Sequence, residues 1–144
     1  MAGGKGLHKI KIITIIFAAV LVVAGCSKAD QKERAIDTLL ENQKHNGSII
    51  VFTDKSLENS FVTLLNGNIN RINNLFMPEN IVTNVSFIDV RDDHDFNYKD
   101  IFQLGDFPQI FVFESKDIVL QTEDPNRLLE YFEEKYWKQQ EAGK

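Results

Sequence analysis

Cys26 is the residue whose chemistry the sequence constrains most, because it is the only cysteine of the 144-residue chain. A single cysteine excludes an intramolecular disulfide, a Cys-x-x-Cys redox pair and a metal site built from several thiolates within one chain. Thiol chemistry of any kind therefore rests on this one position.

A second group of residues whose side chains could take part in chemistry is the run Arg91-Asp92-Asp93-His94-Asp95. Carboxylates and imidazole are ligands that divalent cations accept, so the stretch from Asp92 to Asp95 is a candidate divalent-metal site. Its spacing matches no established metal-binding loop, and a solvated acidic turn is the alternative interpretation. The run therefore supports no firm metal assignment.

The hydroxyl groups of Ser56 and Ser60 are the remaining candidate nucleophiles. Neither lies in a Gly-x-Ser-x-Gly elbow, and no histidine stands at a recognisable spacing. The sequence also contains no phosphate loop and no dinucleotide fingerprint. We therefore predict no catalytic residue, no cofactor and no enzymatic activity.

The first 25 residues differ in composition from the rest of the chain. They contain Lys5, Lys9 and Lys11 and no acidic residue, and an apolar run over 12–23 leads to two small residues. This run is shorter than the roughly 20 apolar residues that a stable transmembrane helix requires. The pattern is typical of a signal peptide, and we predict that residues 1–25 are removed.

The six residues Leu21-Val22-Val23-Ala24-Gly25-Cys26 resemble the lipobox of bacterial lipoproteins. The resemblance implies that Cys26 receives a diacylglycerol and becomes the first residue of the mature protein. Two or three acyl chains, at about 0.8 kcal/mol per buried CH₂, anchor a protein stably. We therefore expect the protein at the extracytoplasmic face of the cell membrane, with a free cysteine ending an ordinary signal peptide as the alternative.

The part of the chain after residue 25 is acidic. It holds all 21 Asp and Glu residues but lacks three of the 16 Lys and Arg residues, so its formal charge is −8. Binding to a nucleic-acid backbone requires clustered Lys and Arg. Nucleic acid is therefore not expected as a partner.

The hydrophobic periodicity after residue 30 predicts one α/β domain. The predicted elements are a short helix over 31–44 that packs on the domain or acts as a stalk, a strand over 49–52, a long helix over 57–76 with a break or bend near 66–70, a strand over 85–90, a short helix over 98–104, a hairpin of strands 109–113 and 118–121, and a last helix after Asp124. The stretch from His45 to Ser48 is expected to end the first helix, with Gly47 free to take a positive φ. Asp124 is expected to cap the last helix, with Pro125 at its first position.

The order β-α-β-α-β-β-α and the segment Phe102 to Phe113 resemble the thioredoxin fold, in which a cis-proline precedes a hydrophobic strand. Pro108 is the residue that matches this proline, and a trans proline at the start of an edge strand is the alternative. The resemblance implies a thioredoxin-like three-layer sandwich with a mixed sheet over 48–138. A lipidated N-terminus and tether helix over 26–47 precede it, and a C-terminal tail over 139–144 follows.

The chain departs from this family at the position of the redox pair. Active members carry Cys-x-x-Cys after the first core strand, whereas here the stretch from Asp54 to Ser60 contains no cysteine. The resemblance therefore implies a redox-inactive scaffold. Related folds receive extended polypeptide in the groove beside the cis-proline, so the predicted binding residues are Thr53, Asp54, Phe107 and Pro108.

The function expected from these observations is that of a membrane-anchored lipoprotein whose domain serves as a binding or scaffold module. Its partners would be the membrane, through the lipid at Cys26, and an unknown envelope protein or peptidoglycan. The alternatives are a structural lipoprotein associated with peptidoglycan and an envelope protein that binds a divalent metal. These readings belong to different classes, and the sequence does not choose among the partners.

Overall fold

The computed structural model describes residues 28–42, 47–77, 82 and 85–143. The predicted signal peptide, the lipobox and Cys26 lie outside these residues. Within them the chain forms an α/β fold with a mixed four-stranded sheet and four helices. The elements are α1 over 28–40, β1 Gly47–Thr53, α2 Asn59–Arg71 with a π-helical continuation Ile72–Phe76, β2 Val85–Asp89, α3 Tyr98–Ile101, β3 Gln109–Glu114, β4 Asp117–Thr122 and α4 Pro125–Ala142.

The sheet has the strand order β2-β1-β3-β4. Strand β1 pairs in parallel with β2 and antiparallel with β3, and β3 pairs antiparallel with β4. The parallel pair joined by a helical crossover and the C-terminal hairpin were both expected from the sequence, and both are confirmed. Ser115, in the hairpin turn, has a positive φ of 57°.

Two hydrophobic layers cover the two faces of the sheet, because neighbouring side chains of a strand point to opposite faces. Ile49 and Val51 of β1 face a layer that includes residues of α2 and α4. Ile50 and Phe52 face a second layer that includes residues of α1 and α3. The central strand is therefore buried on both faces, as its continuous apolar run predicted.

Helix α1 is part of this second layer. Ala35 is fully buried and Ile36 is 8% exposed, and both belong to the cluster around Phe52 and Phe113. The sequence left open whether this helix packs on the domain or stands away from it as a stalk. In the structure its C-terminal half packs on the sheet.

Three local features differ from the sequence expectations. Helix α2 continues through Gly67 without a break, because Leu65, Asn68 and Ile69 are buried on its inner face. Packing of this kind outweighs the roughly 1 kcal/mol that glycine costs in a helix. Gly47 does not take a positive φ but begins β1, where it pairs with Glu114. Helix α4 extends to Ala142 and thus includes most of the stretch predicted as a tail.

The start of α4 is fixed in two ways. The Asp124 carboxylate accepts a hydrogen bond from the Asn126 amide at 2.8 Å, and Pro125 occupies the first turn, as the sequence predicted. In addition, the buried Asn68 side chain of α2 donates to the Pro125 carbonyl oxygen at 2.8 Å. This bond connects the two helices that cover one face of the sheet.

Candidate functional site

The four predicted binding residues lie together at one end of the sheet. Thr53 ends β1, whereas Phe107 and Pro108 directly precede β3. Phe52 pairs with Gln109 in the antiparallel register, so the next step of that register brings Thr53 level with Pro108. The Phe107–Pro108 peptide bond is cis. We call this end of the sheet, defined by Thr53, Asp54, Phe107 and Pro108, the Pro108 edge.

A tight turn fixes the chain where it leaves β1. The Thr53 hydroxyl donates to the Lys55 carbonyl oxygen at 2.5 Å and accepts from the Lys55 amide at 3.3 Å. Thr53 is 7% exposed, whereas the following Asp54 is partly exposed. The turn therefore holds the Asp54 carboxylate at the rim of the Pro108 edge.

The backbone of Phe107 offers hydrogen-bonding groups at this edge. Neither its amide nor its carbonyl oxygen bonds to another described residue, and its side chain is partly exposed. The Lys99 ammonium lies 5.9 Å from the centre of its ring. Backbone groups of this kind beside a strand can pair with an extended peptide, as in recognition by β-strand addition.

The end of β2 adds charge beside the Pro108 edge. Asp89 pairs with Thr53 in the parallel register, and the Val90 amide donates to the Thr53 carbonyl oxygen at 2.8 Å. Arg91 donates to both carboxylate oxygens of Asp89, at 2.9 and 2.5 Å. This paired hydrogen bonding lowers the pKa of Asp89 to about 2. The same hydrogen bonds to Asp89 raise the pKa of Arg91, and the negative charge of nearby Asp54 adds to this effect.

The acidic run that follows β2 is spread out on the surface. Asp92, Asp93 and Asp95 are exposed, and the His94 ring bonds to the Asp89 carbonyl oxygen at 2.8 Å while it packs on Tyr98 at 5.3 Å. In the ranges 28–42, 47–77 and 85–143, no three His, Cys, Asp or Glu side chains form a group that could hold a metal ion. The described geometry therefore does not favour the metal alternative.

The connection from β1 to α2, which the resemblance compares with a redox site, holds ordinary helix-start residues. Helix α2 begins at Asn59, and the Ser60 hydroxyl donates to the Glu58 carboxylate at 3.4 Å in an exposed contact. Ser56 is exposed in the connection before the helix. The Glu58 carboxylate is the only basic group in these contacts of the described residues, and its distance of 3.4 Å from the Ser60 hydroxyl is longer than the roughly 2.6–3.2 Å of an activated nucleophile–base pair.

A shallow pocket of about 390 Å³ lies elsewhere, along the outer part of α4. Its lining includes Tyr131 and Lys135, whose side chains both donate to the Glu114 carboxylate at the far end of β3. This pocket and the Pro108 edge therefore lie toward opposite ends of the sheet.

Asp89 and Lys99 were not identified as site residues from the sequence. The signal for Asp89 was its place at the end of the strand parallel to β1, which sets it beside Thr53. No sequence signal places Lys99 against Phe107, because that contact depends on how α3 packs. Arg91 was included only as a neighbour of possible metal ligands, whereas its side chain is paired with Asp89.

Comparisons with protein-family models, with curated proteins and with solved structures find no match to this chain. Among the helices that the structure describes, none combines the length and the apolar content needed to cross a bilayer.

Proposed function

We propose that this chain is a lipid-anchored lipoprotein of the extracytoplasmic membrane face, whose α/β domain is a redox-inactive binding module. The observation that carries the binding role is the Pro108 edge, where backbone groups of Phe107 without a described partner lie beside Asp54 and the end of β1. The anchor rests on the sequence that ends at Cys26. The partner is an envelope protein, with peptidoglycan as the other candidate.

The scaffold that we propose is thioredoxin-like. In its support, β1 and β2 are parallel, β3 and β4 form the hairpin that follows, and helices cover both faces of the sheet. Because the only cysteine of the chain is Cys26, such a scaffold has no thiol at the start of α2. Fold likeness alone carries no activity. The proposed role is therefore binding without thiol chemistry.

The anchor is tested by mass spectrometry of the protein purified from the membranes of the cells that produce it. We expect an N-terminal peptide that begins at Cys26 and carries the mass of a diacylglycerol thioether. The Cys26→Ala variant, with its own signal peptide replaced by a cleavable one, should lack this mass and leave the membrane fraction. An unmodified thiol on a membrane-bound wild-type protein would overturn the lipid anchor.

The binding role is tested with a photoreactive phenylalanine analogue incorporated in cells. Replacement of Phe107 places the probe at the Pro108 edge, and replacement of Phe87 is the matched control, since Phe87 is 47% exposed on β2. We expect a discrete crosslinked species from position 107 only. Adducts from position 87 alone, or from neither position in a folded protein, would contradict binding at the Pro108 edge.

A further inference from the structure

The direction of α1 relates the proposed anchor to the Pro108 edge. Asp37, near the C-terminal end of α1, pairs at 2.6 Å with Lys116 in the turn between β3 and β4. That turn lies at the sheet end opposite Pro108, because β3 runs away from Pro108 toward it. This ion pair places the C-terminal part of α1 at the sheet end opposite the Pro108 edge.

Contacts of the first turns of α1 agree with this direction. The Lys32 ammonium lies 6.0 Å from the centre of the Phe102 ring. Phe102 packs on Phe52 with ring centres 5.7 Å apart, and Phe52 is the residue before Thr53. The Lys32 side chain therefore extends toward the part of the sheet that ends at the Pro108 edge, while residues 28–34 are exposed.

Only a short stretch of the chain separates α1 from the proposed lipid on Cys26. Cys26 is two positions before Lys28, and Lys28 is four positions before Lys32. Two Cα spacings reach at most about 8 Å, and four helical residues rise about 6 Å. Because Ala35 and Ile36 hold α1 in the core, a tether this short limits how far the domain can turn relative to the membrane.

We infer that the lipid on Cys26 holds the Pro108 edge toward the bilayer, and that its occupant is an extended extracytoplasmic segment of a membrane-embedded protein. This inference rests on the proposed function. The exposed carboxylates of Asp92, Asp93 and Asp106 repel anionic head groups, which keeps the edge from inserting into the head-group layer. In this orientation, a segment that emerges from the membrane directly enters the space between the Pro108 edge and the bilayer, whereas peptidoglycan lies beyond the other end of the domain.

The only tryptophan of the chain marks that other end. The Tyr131 hydroxyl donates to Glu114 at 3.1 Å, which places that part of α4 level with the end of β3. Trp137 lies six residues later, about 9 Å further along the helix, and is 56% exposed. Trp137 should therefore be the membrane-distal fluorophore of the anchored protein.

The orientation is tested with the full lipidated protein in phosphatidylethanolamine–phosphatidylglycerol vesicles that carry dansyl head groups. The native protein reports from Trp137, and a Trp137→Phe, Lys55→Trp variant reports from an exposed position beside Asp54. We expect energy transfer to dansyl to be several-fold stronger from position 55. Equal or reversed transfer from folded protein would overturn the orientation.

Failure of this inference can be separated from failure of the proposed anchor. The same sample is checked for the diacylglycerol on Cys26 and for flotation with the vesicles. Without the modified Cys26 or without flotation, the proposed anchor fails and the orientation falls with it. A lipidated, floating protein with equal transfer retains the anchor and overturns only the orientation.

The occupant is tested with the adduct formed from position 107 in cells. We expect the adduct to resist muramidase digestion. We also expect it to remain in the membrane fraction after an alkaline wash in a variant that carries Cys26→Ala and a cleavable signal peptide in place of its own. Under that condition only the partner can retain the adduct in the membrane. A muramidase-sensitive adduct, or one released as a soluble protein, would overturn a membrane-embedded partner.

Discussion

At the scale of single residues, Glu114 links the end of β3 to α4. Its carboxylate accepts hydrogen bonds from the Tyr131 hydroxyl, at 3.1 Å, and from the Lys135 ammonium. Burial of the phenol, followed by the charge and the hydrogen bond of Glu114, raises the pKa of Tyr131 to about 12. The ordinary value is 10.0, so Tyr131 keeps its proton in the folded state at a pH at which an unfolded chain has lost it.

The stability of the protein should therefore fall as pH rises between about 10 and 12. In this window the unfolded state binds fewer protons than the folded state, so the free energy of unfolding decreases with pH. Tyr131→Phe should remove this part of the alkaline decrease, measured by urea unfolding at a series of pH values. A decrease of the same size in the variant would show that Tyr131 does not cause it.

Glu114→Gln tests the role of the carboxylate in the same pKa. We expect Tyr131 to titrate at a lower pH in this variant, observed as tyrosinate absorbance, because the negative charge that opposes ionisation is gone. Glu130→Gln is the matched control, since Glu130 is an exposed carboxylate on α4 that pairs with Arg127. If the pKa of Tyr131 were unchanged in Glu114→Gln, burial alone would account for its raised value.

At the scale of secondary-structure elements, one side chain holds the connection between α2 and β2. The side-chain oxygen of Asn73 accepts a hydrogen bond from the Val82 backbone amide at 2.8 Å, and its side-chain nitrogen donates to the Val82 carbonyl oxygen at 3.1 Å. Asn73 lies in the π-helical continuation of α2, and Val82 is 5% exposed in the first core layer. Asn73 thus substitutes for a backbone partner and keeps Val82 in the core.

Asn73→Ala should destabilise the fold by about 1–3 kcal/mol, because it leaves two buried backbone groups of Val82 unsatisfied. Asn74→Ala is the matched control, since Asn74 is the next residue and is exposed, and it should change stability by less than about 0.5 kcal/mol. Urea unfolding measures both values. Equal effects of the two substitutions would mean that the contact with Val82 contributes little.

Periodicity and turn chemistry were sufficient to predict the strands and the last helix, because these elements are encoded by local patterns. The parallel pairing of β1 with β2 and the β3–β4 hairpin followed from the order of elements. The placement of Thr53 beside Pro108 came only from the resemblance to the thioredoxin fold. The π-helical end of α2 and the clamp from Asn73 to Val82 were not predicted. Both depend on side chains that meet only after α2 packs on the sheet, and no spacing in the sequence signals them.

At the scale of the whole molecule, β1 joins the two hydrophobic layers of the fold. Ile49 and Ile50 are adjacent in sequence and both fully buried, yet Ile49 faces the layer of α2 and α4 whereas Ile50 faces the layer of α1 and α3. Alternation in β3 has the same result, with Val112 on one side and Phe111 on the other. Loss of either layer exposes one face of the same central strands, so we expect the layers to unfold together.

Ile49→Ala and Ile50→Ala form a matched pair for testing this coupling. Each removes the same atoms from a fully buried site and should lower the free energy of unfolding by about 2–5 kcal/mol. Trp137 on α4 reports from the side of Ile49, whereas far-UV circular dichroism reports on all elements. Because one cooperative unit has one transition, both signals should shift to the same lower urea midpoint even in Ile50→Ala. A shift of the circular dichroism midpoint alone in that variant would mean that α1 and α3 unfold independently of α4.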